Sequence, residues 1–96
     1  MGRATYSVDY VPDPAEFYPK GRAAKKSLDG FIELDDREIY ISTKSKPQNI
    51  ESSLIHELLH AISEHYKIPL SEKRVRELEK ALYDLFKRNG WKISVQ

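Results

Sequence analysis

The N-terminal part of the chain alternates hydrophobic and polar positions, whereas the C-terminal half repeats its hydrophobic positions every three or four residues. Aromatic and aliphatic side chains alternate with polar ones from Tyr6 to Tyr10, which predicts a strand over about residues 4–11. Asp13 followed by Pro14 is typical of the start of a short helical turn.

Residues 31–42 alternate in the same way and predict a β-hairpin with Asp35 and Asp36 at its tip. In this register Ile32 lies opposite Ile39, since a hairpin pairs residues symmetrically about its turn. Four aliphatic side chains then share one face that can pack against a core: Ile32, Leu34, Ile39 and Ile41.

Two helices are predicted in the C-terminal half. The first runs from about residue 47 to 66, and a tight connection at residues 68–70 follows it. Ser71 is a suitable cap for a second helix that continues to about residue 89, where Gly90 can stop it in a left-handed conformation.

These elements predict an α+β fold: a small N-terminal antiparallel sheet with a hairpin, followed by two packed antiparallel helices. The length of 96 residues is that of one small domain, so we expect residues 1–96 to form a single unit.

Charge and composition exclude several classes of function. With 16 Lys and Arg against 15 Asp and Glu, the net charge of +1 favours neither nucleic acid nor an acidic membrane as a partner. Cations of the second helix alternate with acids at ion-pair spacing, such as Glu72 with Arg76 and Asp84 with Arg88, which is typical of a solvated surface.

No stretch approaches the roughly 20 apolar residues of a membrane-spanning helix. The N-terminus carries no apolar secretory signal, so the cytoplasm is the expected location. Because the chain contains no cysteine, any metal must be held by His, Asp or Glu.

The most specific feature is the H-E-x-x-H motif formed by His56, Glu57 and His60. Residues four apart on a helix lie about 40° from each other, one turn above the other, so both imidazoles can reach one zinc ion. Glu57 then points beside the metal, where its carboxylate can take a proton from a water molecule that the metal activates. Glu57 is therefore the predicted catalytic residue.

A catalytic zinc usually has a third protein ligand. Glu79 is the favoured candidate, because it interrupts the apolar stripe of the second helix and an antiparallel pair brings it level with the histidines. Glu72 is expected to stay near the turn between the helices. Glu77 remains an alternative, whereas His65 and Glu64 are expected to lie off the metal.

With this motif on one helix and Glu79 on the next, the chain resembles the gluzincin metallopeptidases, and among them the minigluzincins, over about residues 30–90. It is also similar to short metallopeptidase domains of prophages. The resemblance implies zinc held by His56, His60 and Glu79, with Glu57 as general base, and a peptide or protein as substrate. It further implies a latent form whose cleft is covered by a terminal segment, for which the Pro-rich N-terminal stretch and the tail of residues 91–95 are the candidates. Finally, it implies that residues 38–42 are the rim strand to which a peptide adds.

The leading interpretation is thus a zinc-dependent metallopeptidase. The alternative is a non-catalytic zinc-binding or regulatory module that retains the peptidase fold, in which the metal mainly joins the two helices. Tyr83, one turn after Glu79, is a candidate for stabilising the oxyanion of the reaction. The pattern indicates no particular oligomeric state.

Overall fold

The computed structural model describes residues 5–17 and 29–91, and these form an α+β arrangement as predicted. The elements are β1 (Ser7–Val11), a 3₁₀ turn (Pro14–Phe17), β2 (Gly30–Glu33), β3 (Glu38–Ser42), α1 (Pro47–His65) and α2 (Glu72–Arg88). Within those two ranges, neither helix is long and apolar enough to cross a lipid bilayer. The C-terminal tail after Trp91, a candidate for covering the cleft, lies outside the described residues.

The sheet has the strand order β1-β3-β2. The hairpin of β2 and β3 has the predicted register, with Ile32 opposite Ile39. However, β1 pairs with β3 in parallel, so the sheet is mixed and the prediction of an antiparallel sheet is wrong for this strand. Alternation of side chains shows which face of a strand is buried but not which way the strand runs.

The central position of β3 corrects a second expectation. Because β3 is hydrogen-bonded to a strand on each side, residues 38–42 cannot be the rim strand. In the part of the chain that the structure describes, β2 pairs only with β3 and lies at an edge of the sheet, where it contacts α1. The rim strand beside the helix is therefore β2.

Helix α1 lies between the sheet and α2 and contributes to two hydrophobic clusters. Against the sheet, Leu54 packs on Ile39 and Ile41, both fully buried. Against α2, Ile55 and Leu59 of α1 pack on Val75, which is also fully buried. Because α1 is covered on two sides, its position is fixed, and only its remaining face is accessible to a ligand.

The connection between the helices determines where α2 begins. Lys67 adopts a left-handed conformation (φ 54°), which turns the chain back directly after α1. The Ile68 N–H then donates to the Ser63 carbonyl at 3.2 Å, and the Ser63 hydroxyl donates to the Ile68 carbonyl at 2.7 Å. Both bonds close the C-terminal end of α1, and Ser71 then caps α2 by accepting from the Arg74 N–H.

We expect Ile39→Ala to lower the free energy of unfolding by about 2–5 kcal/mol, because it leaves a cavity at a fully buried position. Ile68→Ala removes the same atoms from a side chain that is 47% exposed, and should cost less than about 1 kcal/mol. Urea denaturation of both variants measures the difference, and equal losses would contradict the position of the core.

Candidate metal centre

The two motif histidines lie on one face of α1, one turn apart. Nε2 of His56 is 3.3 Å from Nε2 of His60, and the two rings meet edge to face with their centres 4.9 Å apart. Both side chains are partly exposed, at 23% and 30%. The i, i+4 spacing therefore directs the same ring nitrogen of each histidine to one point, as the motif predicts.

Glu72, the first residue of α2, completes this arrangement. Its Oε1 lies 3.0 Å from Nε2 of His56, and its Oε2 lies 3.3 Å from Nε2 of His60. One ligand atom from each of the three side chains lies within 4.8 Å of the others, so the group could hold a metal ion. Ligands on a tetrahedral zinc with bonds of 2.0–2.1 Å are about 3.3–3.4 Å apart, which is close to the spacing of the two Nε2 atoms.

Glu79 also contacts His56, but at the opposite ring nitrogen. Its Oε1 lies 2.7 Å from Nδ1 of His56, and its Oε2 accepts a hydrogen bond from the Ser52 hydroxyl. The predicted pairing of Glu79 with the motif helix is thus present, whereas its role as third metal ligand stays a prediction. Glu72 is instead the carboxylate that lies at both Nε2 atoms, so the expectation that it stays near the turn, away from the histidines, is wrong.

Glu57 is buried, with only 8% of its surface exposed. Burial raises the pKa of its carboxyl to about 7, since a charge is poorly solvated there. The electrostatic interaction with His56 lowers this pKa, while the negative charges of Glu72 and Glu79 raise it further. A carboxyl with a pKa near neutrality can both accept and return a proton.

A pocket of about 250 Å³ opens beside Glu57. No lysine or arginine is among its described lining residues, which are Asp29, Gly30, Ser53, His56, Glu57 and Glu79. Gly30 starts the edge strand β2, and a Cβ there would lie 2.7 Å from the backbone oxygen of Tyr40. Only glycine therefore fits without a shift at the point where β2 meets the pocket.

The remaining candidates lie elsewhere. His65 contacts the Tyr6 hydroxyl through Nε2 at 2.5 Å, and Glu64 is exposed, so both are off the cluster as expected. Tyr83 packs beside the cluster that joins the helices, with Lys87 over its ring. No tyrosine of the described residues lines the pocket, so the structure brings no tyrosine hydroxyl to Glu57.

Three exposed arginines of α2 are paired with acids on the same helix, whereas Lys87 pairs with Glu51 of α1. Arg88 lies 2.8 Å from Asp84, and Arg76 lies 3.9 Å from Glu72, as their spacing predicts. These ion pairs are typical of a solvated helix face. They partly neutralise the positive charges that would be needed to bind the phosphates of a nucleic acid.

Comparisons with protein-family models, with curated proteins and with solved structures give no match to this chain. The resemblance to the minigluzincins therefore rests on the motif and on the two-helix arrangement. It stays a prediction.

The buried Glu57 should make stability depend on pH in the metal-free protein. Its pKa rises from 4.5 to about 7 on folding, so stability is lost as the pH rises through 7. Gln carries no charge. The free energy of unfolding of Glu57→Gln should therefore equal that of the wild type near pH 4.5. At pH 8 it should exceed the wild-type value by about 3 kcal/mol.

Urea denaturation at both pH values measures this difference. Glu77→Gln is the matched control, because the Glu77 side chain is 52% exposed and pairs with Arg74 at the surface. The control should show no comparable gain. A Glu57→Gln variant that is less stable than the wild type at pH 8 would contradict the burial of a charge at this position.

Proposed function

We propose that this protein is a zinc-dependent metallopeptidase. The observation that carries the proposal is the convergence of His56, His60 and Glu72 on one point, together with the buried carboxyl of Glu57 in a pocket that His56 also lines. Two imidazoles and one carboxylate form a ligand set of catalytic zinc sites, which leave a position open for substrate or water.

His56 and His60 would bind the ion through Nε2 and Glu72 through a carboxylate oxygen. Imidazole with carboxylate favours zinc among the common divalent ions, although the same set also accepts cobalt, nickel or iron. A zinc ion held there would lower the pKa of a water molecule and polarise the peptide carbonyl.

Glu57 performs the proton transfers. Its carboxylate takes a proton from the attacking water, and the resulting carboxylic acid returns that proton to the leaving amine as the peptide bond breaks. In the metal-free protein burial raises the pKa of this carboxyl to about 7, and a bound cation nearby would lower it, which favours the carboxylate that accepts the proton. Burial also keeps bulk water from competing for this proton.

The edge strand β2 is the best candidate for aligning the peptide. It begins at Gly30, which lines the pocket, and within the described residues one of its sides has no partner strand. An extended peptide can bind such an edge by adding as a further strand. Its backbone would then pass the pocket in which Glu57 lies.

The relationship to the minigluzincins, the latent form and the cytoplasmic location belong to the same proposal. The motif and the glutamates that the neighbouring helix places beside it support the first.

The metal ligands can be tested by zinc binding. Wild type should bind one zinc per chain, and Glu72→Gln should weaken binding by more than about 100-fold, since it removes a direct ligand. Glu77→Gln is a matched control on the same helix, because Glu72 and Glu77 are exposed to similar extents, 49% and 52%. Elemental analysis after dialysis and competition with a chelating dye measure both quantities. Equal affinities of the two variants would exclude Glu72 as a ligand.

The catalytic step can be tested with Glu57→Gln. This variant should keep its zinc but lose at least about 10²–10⁴-fold in kcat/KM, because glutamine cannot accept the proton. Cleavage of a mixture of peptides, followed by mass spectrometry, is the measurement. If zinc stabilises the wild type and no peptide or protein is cleaved, the non-catalytic zinc module is the correct interpretation.

A further inference from the structure

His56 lies between two carboxylates, one at each ring nitrogen. Glu79 Oε1 is 2.7 Å from Nδ1, and Glu72 Oε1 is 3.0 Å from Nε2. The shorter contact is the one on the side away from His60. An ionised carboxylate can only accept a hydrogen bond, and a neutral imidazole has one proton to donate, so the shorter contact favours Nδ1 over Nε2 as the donor. That bond determines which tautomer the neutral ring adopts, and it leaves the lone pair on Nε2.

Ser52 holds Glu79 in this position. It precedes His56 by four residues, so its side chain lies one turn below His56 on the same face of α1. Its hydroxyl donates to the second carboxylate oxygen, Oε2, while Oε1 accepts from His56. With both oxygens engaged and only 21% of the side chain exposed, the carboxylate of Glu79 has little freedom to rotate.

We propose that Ser52 and Glu79 are positioning residues that fix the His56 ring with Nε2 directed at the metal site. This inference rests on the proposed function, because it assigns the metal to the Nε2 side. It gives Glu79 a different task from that of a ligand. In the described residues no carboxylate contacts Nδ1 of His60. The contact with Glu79 therefore orients the ring of His56, and not that of His60, before a metal binds.

The protonated nitrogen of His56 can be observed directly by long-range ¹H–¹⁵N NMR on the metal-free protein. Nδ1 should carry the proton in wild type and in Glu79→Gln, since the carboxamide oxygen also accepts a hydrogen bond. Glu79→Ala should move the proton to Nε2, where Glu72 remains as acceptor. The His60 signals report any general change of structure. Wild-type His56 without a proton on Nδ1 would overturn the proposal.

Zinc affinity supplies a second readout. Glu79→Ala should weaken binding by about 10–100-fold, as is usual for partners that orient a metal-binding histidine, and Glu79→Gln should recover most of this loss. Ser52→Ala should weaken binding by less than Glu79→Ala. Ser7→Ala is the control, because Ser7 is an exposed serine of β1, at the sheet edge opposite β2, and it should bind zinc as the wild type does.

The outcomes separate this inference from the proposed function. If Glu79→Gln loses zinc as completely as Glu72→Gln, Glu79 is itself a ligand and the positioning role is excluded. If the wild type takes up no zinc, the proposed function fails. The NMR comparison still decides whether Ser52 and Glu79 orient the ring.

Discussion

The packing of α2 against α1 through Val75 is the contact on which the candidate site depends. Val75 is fully buried between Ile55 and Leu59, on the side of α1 that the sheet does not cover. This contact sets the rotation of α2, so that residues before and after Val75 on the same side of the helix face the histidines. Glu72 and Glu79 are three residues before and four residues after it, the spacings that place side chains on one helical face. The apolar contact thus positions both carboxylates.

Burial of Glu57 opposes stability and serves the proposed chemistry. A carboxylate with 8% exposure is poorly solvated, which raises its pKa to about 7 and makes the charged form costly at neutral pH. The sheet and α2 on the two sides of α1 offset that cost with two apolar clusters. A buried ionisable group that lowers stability is typical of functional sites. It explains why the buried positions of α1 include one acid among aliphatic residues.

The two acids of α2 act on different atoms of one ring. Glu72 contacts Nε2 and Glu79 contacts Nδ1 of His56, so that they approach the imidazole from opposite sides. Only the Nε2 side is shared with His60. The division follows from the ring itself, since its two nitrogens point in different directions and a single metal ion can occupy only one of them. A metal on the shared side leaves the other nitrogen free to donate to a carboxylate, which fixes the orientation of the ring.

The sequence alone determines the local part of this arrangement. The i, i+4 spacing of His56 and His60 places both on one helical face whatever surrounds the helix, and the alternation about Asp35 and Asp36 correctly pairs Ile32 with Ile39. The helix boundaries and the left-handed stop at Gly90 are local as well, and the structure reproduces them to within about two residues. Each of these features depends on residues that are close along the chain.

Only the tertiary structure decided the parallel pairing of β1 with β3, the edge position of β2, and the acid that lies at both Nε2 atoms. Helical periodicity gives the face on which Glu72 and Glu79 lie but not their height beside α1. That height depends on where the chain turns at Lys67 and on the packing of Val75 against α1. The direction and height of packed elements come from contacts between distant segments, and a pattern along one segment does not contain them.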